Sequence, residues 1–508
     1  MQNKKSIKSE QKEIGVFIKT EREKKGMTQG DLAMALKTSQ SAVARMESGG
    51  QNFTLEQLQK LGLVLEKQII NIKSTDTVDF EIEGARVLSG SIDTNTSKNG
   101  AINMLCATLV NAGKTTLHGI PRIEEVFRYI EILEGFGVSI KWISRTSLEV
   151  SVPKKISFDK INIDAMNKTR SFTFVGGLIH HSQKFTYPHS GGCKMGERTV
   201  AAHKYGLEEL GVNIKTTHDT YEISHKNLHG GDISLYESSD TGAINLLIAA
   251  SRIPEKTVIR FAPPNYQVQD VCFLLEKYGV KIEGIGTTTL TVHGKENIDV
   301  NIEHENSEDP IESMFFITAA IMTDSTLTIK RCPIDFLHLE IEKLRRMGQK
   351  LEIEKEYLSK NGITKLVDIT VTPSKLTALH DKIHAQPFPG LQMDNLPFFV
   401  PIATKAEGVT LVHDWVYENR AIYLTELSRL GADIKLADPH RLFITGGNTL
   451  RGAQIVSPPA LRPTAAILLT MLGASGTSTL RNVYSLKRGY EEIAERLNKL
   501  GAKIKVVS

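Results

Sequence analysis

Residues 189–198 read HSGGCKMGER, a cysteine set among glycines and cations. A structural cysteine normally has apolar neighbours, but Cys193 has Gly191 and Gly192 before it, Lys194 after it and Arg198 one turn further on. Cationic, accessible surroundings favour the thiolate and access to a ligand. The other reading is a plain loop cysteine. The remaining cysteines, Cys106, Cys272 and Cys332, stand far apart with no CxxC pair, so neither a disulfide framework nor a zinc site is indicated.

The elements that must position such a loop come from the rest of the chain. At 508 residues, 40% hydrophobic and 24% charged, it has the length for two to four domains and the composition of an ordinary globular protein. No apolar run approaches the roughly 18 residues of a membrane span. The start, MQNKKSIKSEQKE, lacks the apolar core of a signal peptide, so a cytoplasmic location is expected. The net charge of +4 is uneven: residues 1–74 carry 13 Lys and Arg against 8 Asp and Glu, leaving 49 against 50 afterwards. A small basic module joined to a large, nearly neutral one is the expectation.

From Glu13 to Ile70 the apolar positions fall on short helical faces: Ile14, Phe17 and Ile18; Leu32, Ala33 and Leu36; Val43 and Met46; Leu55, Leu58 and Leu61. Thr28 and Ser39 stand where they can cap two helices separated by a tight turn. The stretch MTQGDLAMALKTSQSAVARMESG resembles the Cro/C1-type (XRE) helix-turn-helix, with SQSAVARME on the recognition helix. That resemblance implies an all-α DNA-binding domain over 1–74, with Gln40, Ser41 and Arg45 reaching base edges and Gln29 contacting phosphate. Solvated polar residues on a protein-docking bundle are the other reading. One module offers a small interface, so double-stranded DNA calls for a homodimer.

After the joint KSTDTVDFEIEG the sequence repeats. A leucine-rich helix end, a glycine and a strand recur as LEGFGVSI, LEELGVNI, LEKYGVKI, LRRMGQKL, LSRLGADI and LNKLGAKI, at intervals of roughly 70 residues. Gly137, Gly211, Gly279, Gly348, Gly431 and Gly501 are placed as helix C-caps. Two of the apolar helices nearly coincide: KNGAINMLCATL from Lys98 and DTGAINLLIAAS from Asp240. Six α/β units, each burying its helix, predict helix bundles wrapped by sheets.

Against that repeat, TSKNGAINML, TRSFTFVGGLI, GGCKMGERTV, VYENRAIYLTEL, ALRPTAAILL and KRGYEEIAERL follow in an order that resembles the UDP-N-acetylglucosamine enolpyruvyl transferases (1-carboxyvinyltransferases), relatives of enolpyruvylshikimate-phosphate synthase. The resemblance, from about Glu81 to the C-terminus, implies an α/β fold: a two-domain inside-out α/β barrel of six repeats with the active site in the cleft. It implies a split order: 75–97 as linker and first strand, an inserted domain over 98–304, and the remainder of the split domain over 305–508.

The implied reaction moves the enolpyruvyl group of phosphoenolpyruvate to a hydroxyl of a nucleotide or nucleotide sugar and releases phosphate, as in peptidoglycan precursor synthesis, with no metal and no organic cofactor. By position in the motifs, Lys98 and Asn99 engage the donor, and Arg198 and Arg488 hold its phosphate and carboxylate. Arg462 is a further anion contact. Arg170, Thr199 and Val200 fall on nucleotide-sugar contacts, and Val416 and Arg420 on the strand-to-helix turn of the cleft. Arginine suits oxyanions because its fork binds them bidentately. Cys193 matches the loop cysteine that serves as general acid in this family.

The departures fall on the acceptor side. The aspartate of the family's FPTD turn, expected to take the hydroxyl proton, is absent from PFPGLQMDN, where Leu391 or a gap stands. Asp394, three residues on, either replaces it or caps the helix before NLPFF. Ala460 stands where another aspartate is expected, PPNYQVQD replaces acidic positions, and Thr199 and Ala201 replace a proline and an aspartate. An altered acceptor is the expectation. The alternative is a transcriptional regulator that keeps the transferase fold as a nucleotide sensor without turnover.

Overall fold

The computed structural model describes residues 15–23, 25–36, 38–50, 57, 60, 61, 64, 78–189, 191 and 200–507. Its contacts divide the chain into two units, Met1–Thr77 and Val78–Ser508.

In the first unit Thr28 and Ser39 do start the helices Gln29–Ala35 and Gln40–Glu47. The Thr28 hydroxyl accepts from the Asp31 amide at 3.2 Å while the Thr28 amide donates to the Asp31 carboxylate at 2.8 Å, a reciprocal cap. Ile18, Leu32, Ala33, Val43, Met46 and Leu61 form the small core. A Cβ at Gly15 would lie 2.6 Å from the carbonyl oxygen of Glu47, so glycine is what lets helix 15–23 meet the end of Gln40–Glu47.

In the second unit the described strands form six sheets. The helices between them are of two kinds. Lys98–Ala107, Asp240–Ala250, Pro310–Met322 and Leu461–Gly473 are buried on nearly every side, as a helix apolar all round must be. Glu124–Gly135 and His338–Arg346 bury one face only. The apolar helices therefore lie inside and the sheets wrap them. All six glycines after the leucine-rich helix ends take left-handed backbone, with φ between 85° and 108°, a conformation open to glycine at little cost. Behind Glu124–Gly135, for instance, the Gly137 amide donates to the carbonyl of Glu134 at 2.9 Å and the Val138 amide to that of Leu133 at 3.0 Å.

The core has two centres. One joins residues between Ala101 and Ile298; the other joins Phe80, Ile82 and Leu88 to residues between Ile311 and Ile504. Strand Asp79–Glu83 explains the split, since it lies antiparallel between Thr477–Arg481 and Lys503–Val507. The chain passes between the two centres at 94–98 and 305–309, and the two crossings are tied together: the Ser97 amide donates to the Ser307 carbonyl at 2.7 Å and the Asp309 amide to the Asn95 carbonyl at 2.9 Å. Lys98 follows directly. Among the described residues no helix is long and apolar enough to cross a membrane.

Candidate active site

Lys98 is the first residue of its helix, fixed by the Ser97 hydroxyl, which accepts from the Gly100 amide at 3.0 Å. Its Nζ lies 3.2 Å from Glu125 Oε2, and Arg488 Nη2 approaches the same oxygen at 3.5 Å from the other half of the unit. Burial pushes the Glu125 carboxyl up, but the fields of Lys98, Arg488 and Arg170 outweigh it and hold the group below its ordinary value. Arg488 also donates to the Lys168 carbonyl at 3.3 Å. Asn99 donates to the Tyr266 hydroxyl at 3.1 Å. Arg170 is exposed, with its carbonyl taking the Tyr129 hydroxyl at 2.9 Å.

A second cluster stands on the other half. Arg462 donates to Asp394 Oδ2 at 3.1 Å and to the Tyr490 hydroxyl at 2.9 Å. Burial raises the Asp394 carboxyl, yet Arg462, Arg420 and Lys98 bring it down to about 2. Of the two readings of Asp394, the helix cap fails: the short helix Leu396–Phe398 begins behind Asn395 with no side-chain cap. The turn is carried instead by buried Glu340, which accepts from the Gln392 amide at 3.2 Å and the Asn395 side chain at 2.8 Å. Leu391 sits in the core at 1% exposure, and Ala460 is buried, so neither supplies polar chemistry.

Lys98, Arg170, Arg420, Arg462 and Arg488 thus act on two carboxylates, Glu125 and Asp394. Buried charges of this kind need partners, and a multiply charged anion can replace the carboxylates. Arg420 is fully buried and spent on Asp414, at 2.5 and 2.8 Å, with its guanidinium 4.3 Å from the Tyr417 ring centre. It reaches the cleft through its field rather than by an exposed fork. Val416 packs half-buried against one core and Val200, just ahead of helix Ala201–Glu208, against the other. Cys193, Arg198 and Thr199 lie outside the described residues. Glu125 was not singled out from the sequence because a carboxylate on an amphipathic helix reads as solvated.

On the first unit Gln40, Ser41 and Arg45 are exposed on helix Gln40–Glu47. Gln29, expected to contact phosphate, is tied inside the module, its amide nitrogen donating to Glu47 Oε2 at 2.9 Å. Glu47 is buried and ion-paired to Arg22 at 2.5 Å, and its second oxygen is met by that amide.

The second unit is an α/β unit with apolar helices inside and cations gathered on two carboxylates, Glu125 and Asp394, an arrangement suited to anionic ligands. The EPSP synthase (3-phosphoshikimate 1-carboxyvinyltransferase) family matches residues 82–497, and a helix-turn-helix family matches 18–69. The UDP-N-acetylglucosamine 1-carboxyvinyltransferase of Bradyrhizobium diazoefficiens is 33% identical over 85% of this chain and 98% of its own. The same-named protein of Treponema denticola is 32% identical over 84% and 99%. Among solved structures, the enolpyruvyl transferase NikO from Streptomyces tendae aligns with a TM-score of 0.74 at 22% identity, over 85% of this chain and 99% of that one. The chain belongs to the enolpyruvyl transferase family, with an XRE-type helix-turn-helix domain at its N-terminal end.

Proposed function

We propose that this chain transfers the enolpyruvyl group of phosphoenolpyruvate to a hydroxyl of a nucleotide or nucleotide sugar, with UDP-N-acetylglucosamine the first acceptor to test, and that its first unit binds double-stranded DNA as a homodimer. The observation that carries the reading is the meeting of Lys98 and Arg488 on Glu125 from the two halves of the unit. In this reading the donor takes the place of Glu125. Lys98, Asn99, Arg198 and Arg488 hold its phosphate and carboxylate, Cys193 protonates C3, and the acceptor lies along Arg170, Thr199, Val200 and Val416. Asp394 orients Arg462, and Arg420 keeps that region cationic. The inserted and split domains, 98–304 and 305–508, close the cleft between them. The curated relatives, 32–33% identical, support the donor chemistry through their names, and by the same route a part in peptidoglycan synthesis.

The test is phosphate release from phosphoenolpyruvate with a panel of nucleotides and nucleotide sugars. Turnover with any of them supports the reading. Nucleotide binding without turnover supports the sensor alternative, which the absence of a carboxylate at Leu391 favours. Cys193 is tested by an epoxide phosphonate that mimics the donor. Burial raises the thiols of Cys106, Cys272 and Cys332, so alkylation is expected at Cys193 alone. For the first unit, selection from random DNA is expected to enrich a palindrome with half-sites about one helical turn apart. Arg45→Ala should cost roughly 1–3 kcal/mol at one base position.

A further inference from the structure

Asp394 is a poor proton acceptor: it is ion-paired and held near 2. A second carboxylate, Asp240, feels the field of Asp394 and is linked to its turn through Asn265 and Gln392. Helix Asp240–Ala250 repeats helix Lys98–Ala107 residue for residue at its start: Ser239 stands for Ser97, and Gly242-Ala243-Ile244-Asn245 for Gly100-Ala101-Ile102-Asn103. The caps match as well, the Ser239 hydroxyl accepting from the Gly242 amide at 3.2 Å as Ser97 does from Gly100 at 3.0 Å. Asp240 therefore occupies the position of Lys98 with the opposite charge.

Its surroundings are built to hold it. Asp240 Oδ2 accepts from the Gln267 side chain at 2.5 Å and the Asn265 side chain at 2.9 Å. Gln267 accepts in turn from Asn103, on the helix of Lys98, at 3.1 Å. Asn265 accepts from Gln392, two residues before Asp394, at 3.0 Å, so the clamp also ties the other half of the unit to this point. Among the described residues Oδ1 has no such partner. Burial pushes the Asp240 carboxyl up to about 6; the two amides pull it down and Asp394 pushes it further up. Among the described residues His203 also stands close, meeting Thr241 at 3.2 Å; burial, with the field of Arg170, pulls it down to about 4 and so keeps it neutral. Two carboxylates whose environments drive their proton affinities apart divide the roles of anchor and base.

We infer that Asp240 is the catalytic base that takes the proton of the attacking acceptor hydroxyl, with Asn265 and Gln267 as its positioning residues; this rests on the transferase reading. As the hydroxyl oxygen bonds to C2 of the donor, its O–H bond breaks and the proton passes to Oδ1, while C3 takes a proton from the general acid. The C2–O bond to phosphate then breaks, the oxygen keeping the electron pair. C3 returns its proton to restore the vinyl group, and the proton held by Asp240 leaves with the phosphate.

The test uses the full chain, phosphoenolpyruvate and UDP-N-acetylglucosamine. Asp240→Asn is expected to lower kcat by at least about 100-fold, the usual scale of a general base, with KM for phosphoenolpyruvate changed less than about threefold. The wild-type kcat should fall as pH drops through about 6, and that limb should vanish in Asp240→Asn, return in Asp240→Glu and persist in Asp394→Asn. Turnover of Asp240→Asn within threefold of wild type, or an unchanged acid limb in it, would overturn the inference. If the wild type itself releases no phosphate with this acceptor, the choice of acceptor has failed and the carboxyl is followed directly by ¹³C resonance of labelled aspartate. A titration near pH 6 that disappears in Asp240→Asn sustains the inference, and one below pH 5 overturns it.

Discussion

Helices Lys98–Ala107 and Asp240–Ala250 begin with one local sequence, one kind of serine cap and one buried GAIN run, yet set a cation and a carboxylate at their first positions, both within the field of Asp394. The scaffold is constant and the chemistry sits in the first residue, where a side chain leaves the helix before the apolar face begins. Their asparagines differ too. Asn245 is saturated: it accepts from the Gly176 amide at 2.7 Å and its nitrogen meets the Phe172 carbonyl at 3.2 Å and His203 at 3.0 Å. Asn103 makes one side-chain bond, to Gln267. The second helix is thus the more firmly built into its surroundings, and the first is the freer to answer a ligand.

The strongest test of the contrast is Lys98→Ala. Removing a charged contact worth roughly 1.5–3 kcal/mol should lower kcat/KM for phosphoenolpyruvate by about 10- to 150-fold, read by phosphate release. An unchanged value would remove Lys98 from the donor site and with it the division of roles. Next, Asn245→Ala should cost about 2–3 kcal/mol in denaturant unfolding, because buried groups of Gly176 and Phe172 lose their partner, and Asn103→Ala about 1. Equal losses would erase the structural difference between the helices.

A smaller effect is expected from pH. Burial, with Arg170, holds the folded His203 near 4, below its ordinary value of 6.5. Its contribution is therefore complete above pH 6.5 and is lost as pH falls toward 4. The stability advantage of wild type over His203→Gln should accordingly shrink by roughly 1–2 kcal/mol between pH 7.5 and 4.5. A gap that widens in acid would mean that the imidazole is charged when folded. The least effect is expected from the caps: Ser97→Ala and Ser239→Ala should each cost about 1 kcal/mol, since each hydroxyl accepts from the amide three residues on.

The sequence carried the features that are local. Thr28 and Ser39 cap where their spacing places them, the six glycines take left-handed backbone, and Lys98 meets Arg488 on Glu125 while Arg462 pairs with Asp394. The partners that hold those charges were not legible. Glu125 lies 27 residues from Lys98 and 363 from Arg488, and nothing local distinguishes it from a surface carboxylate. Asp240 was visible only as the start of a copied helix, because its role depends on Asn265, Gln267 and Gln392 folding over it. The bond of Gln29 to Glu47 was not legible either, because the burial of Glu47 against Arg22 is a property of the packed module, not of either residue's neighbourhood.

The strand Asp79–Glu83 has a consequence for the order in which the protein is made. It leaves the ribosome well ahead of its two partners, Thr477–Arg481 and Lys503–Val507, which follow it in the chain only after the whole of the other core. The first unit and the core between Ala101 and Ile298 have their own contacts complete long before that. The remaining core must wait with an unpaired edge until those strands emerge. Unpaired edges and exposed apolar surface are what nascent chains aggregate through, so termination between Ile298 and Lys503 releases a chain with its first unit and first core formed and its second core open.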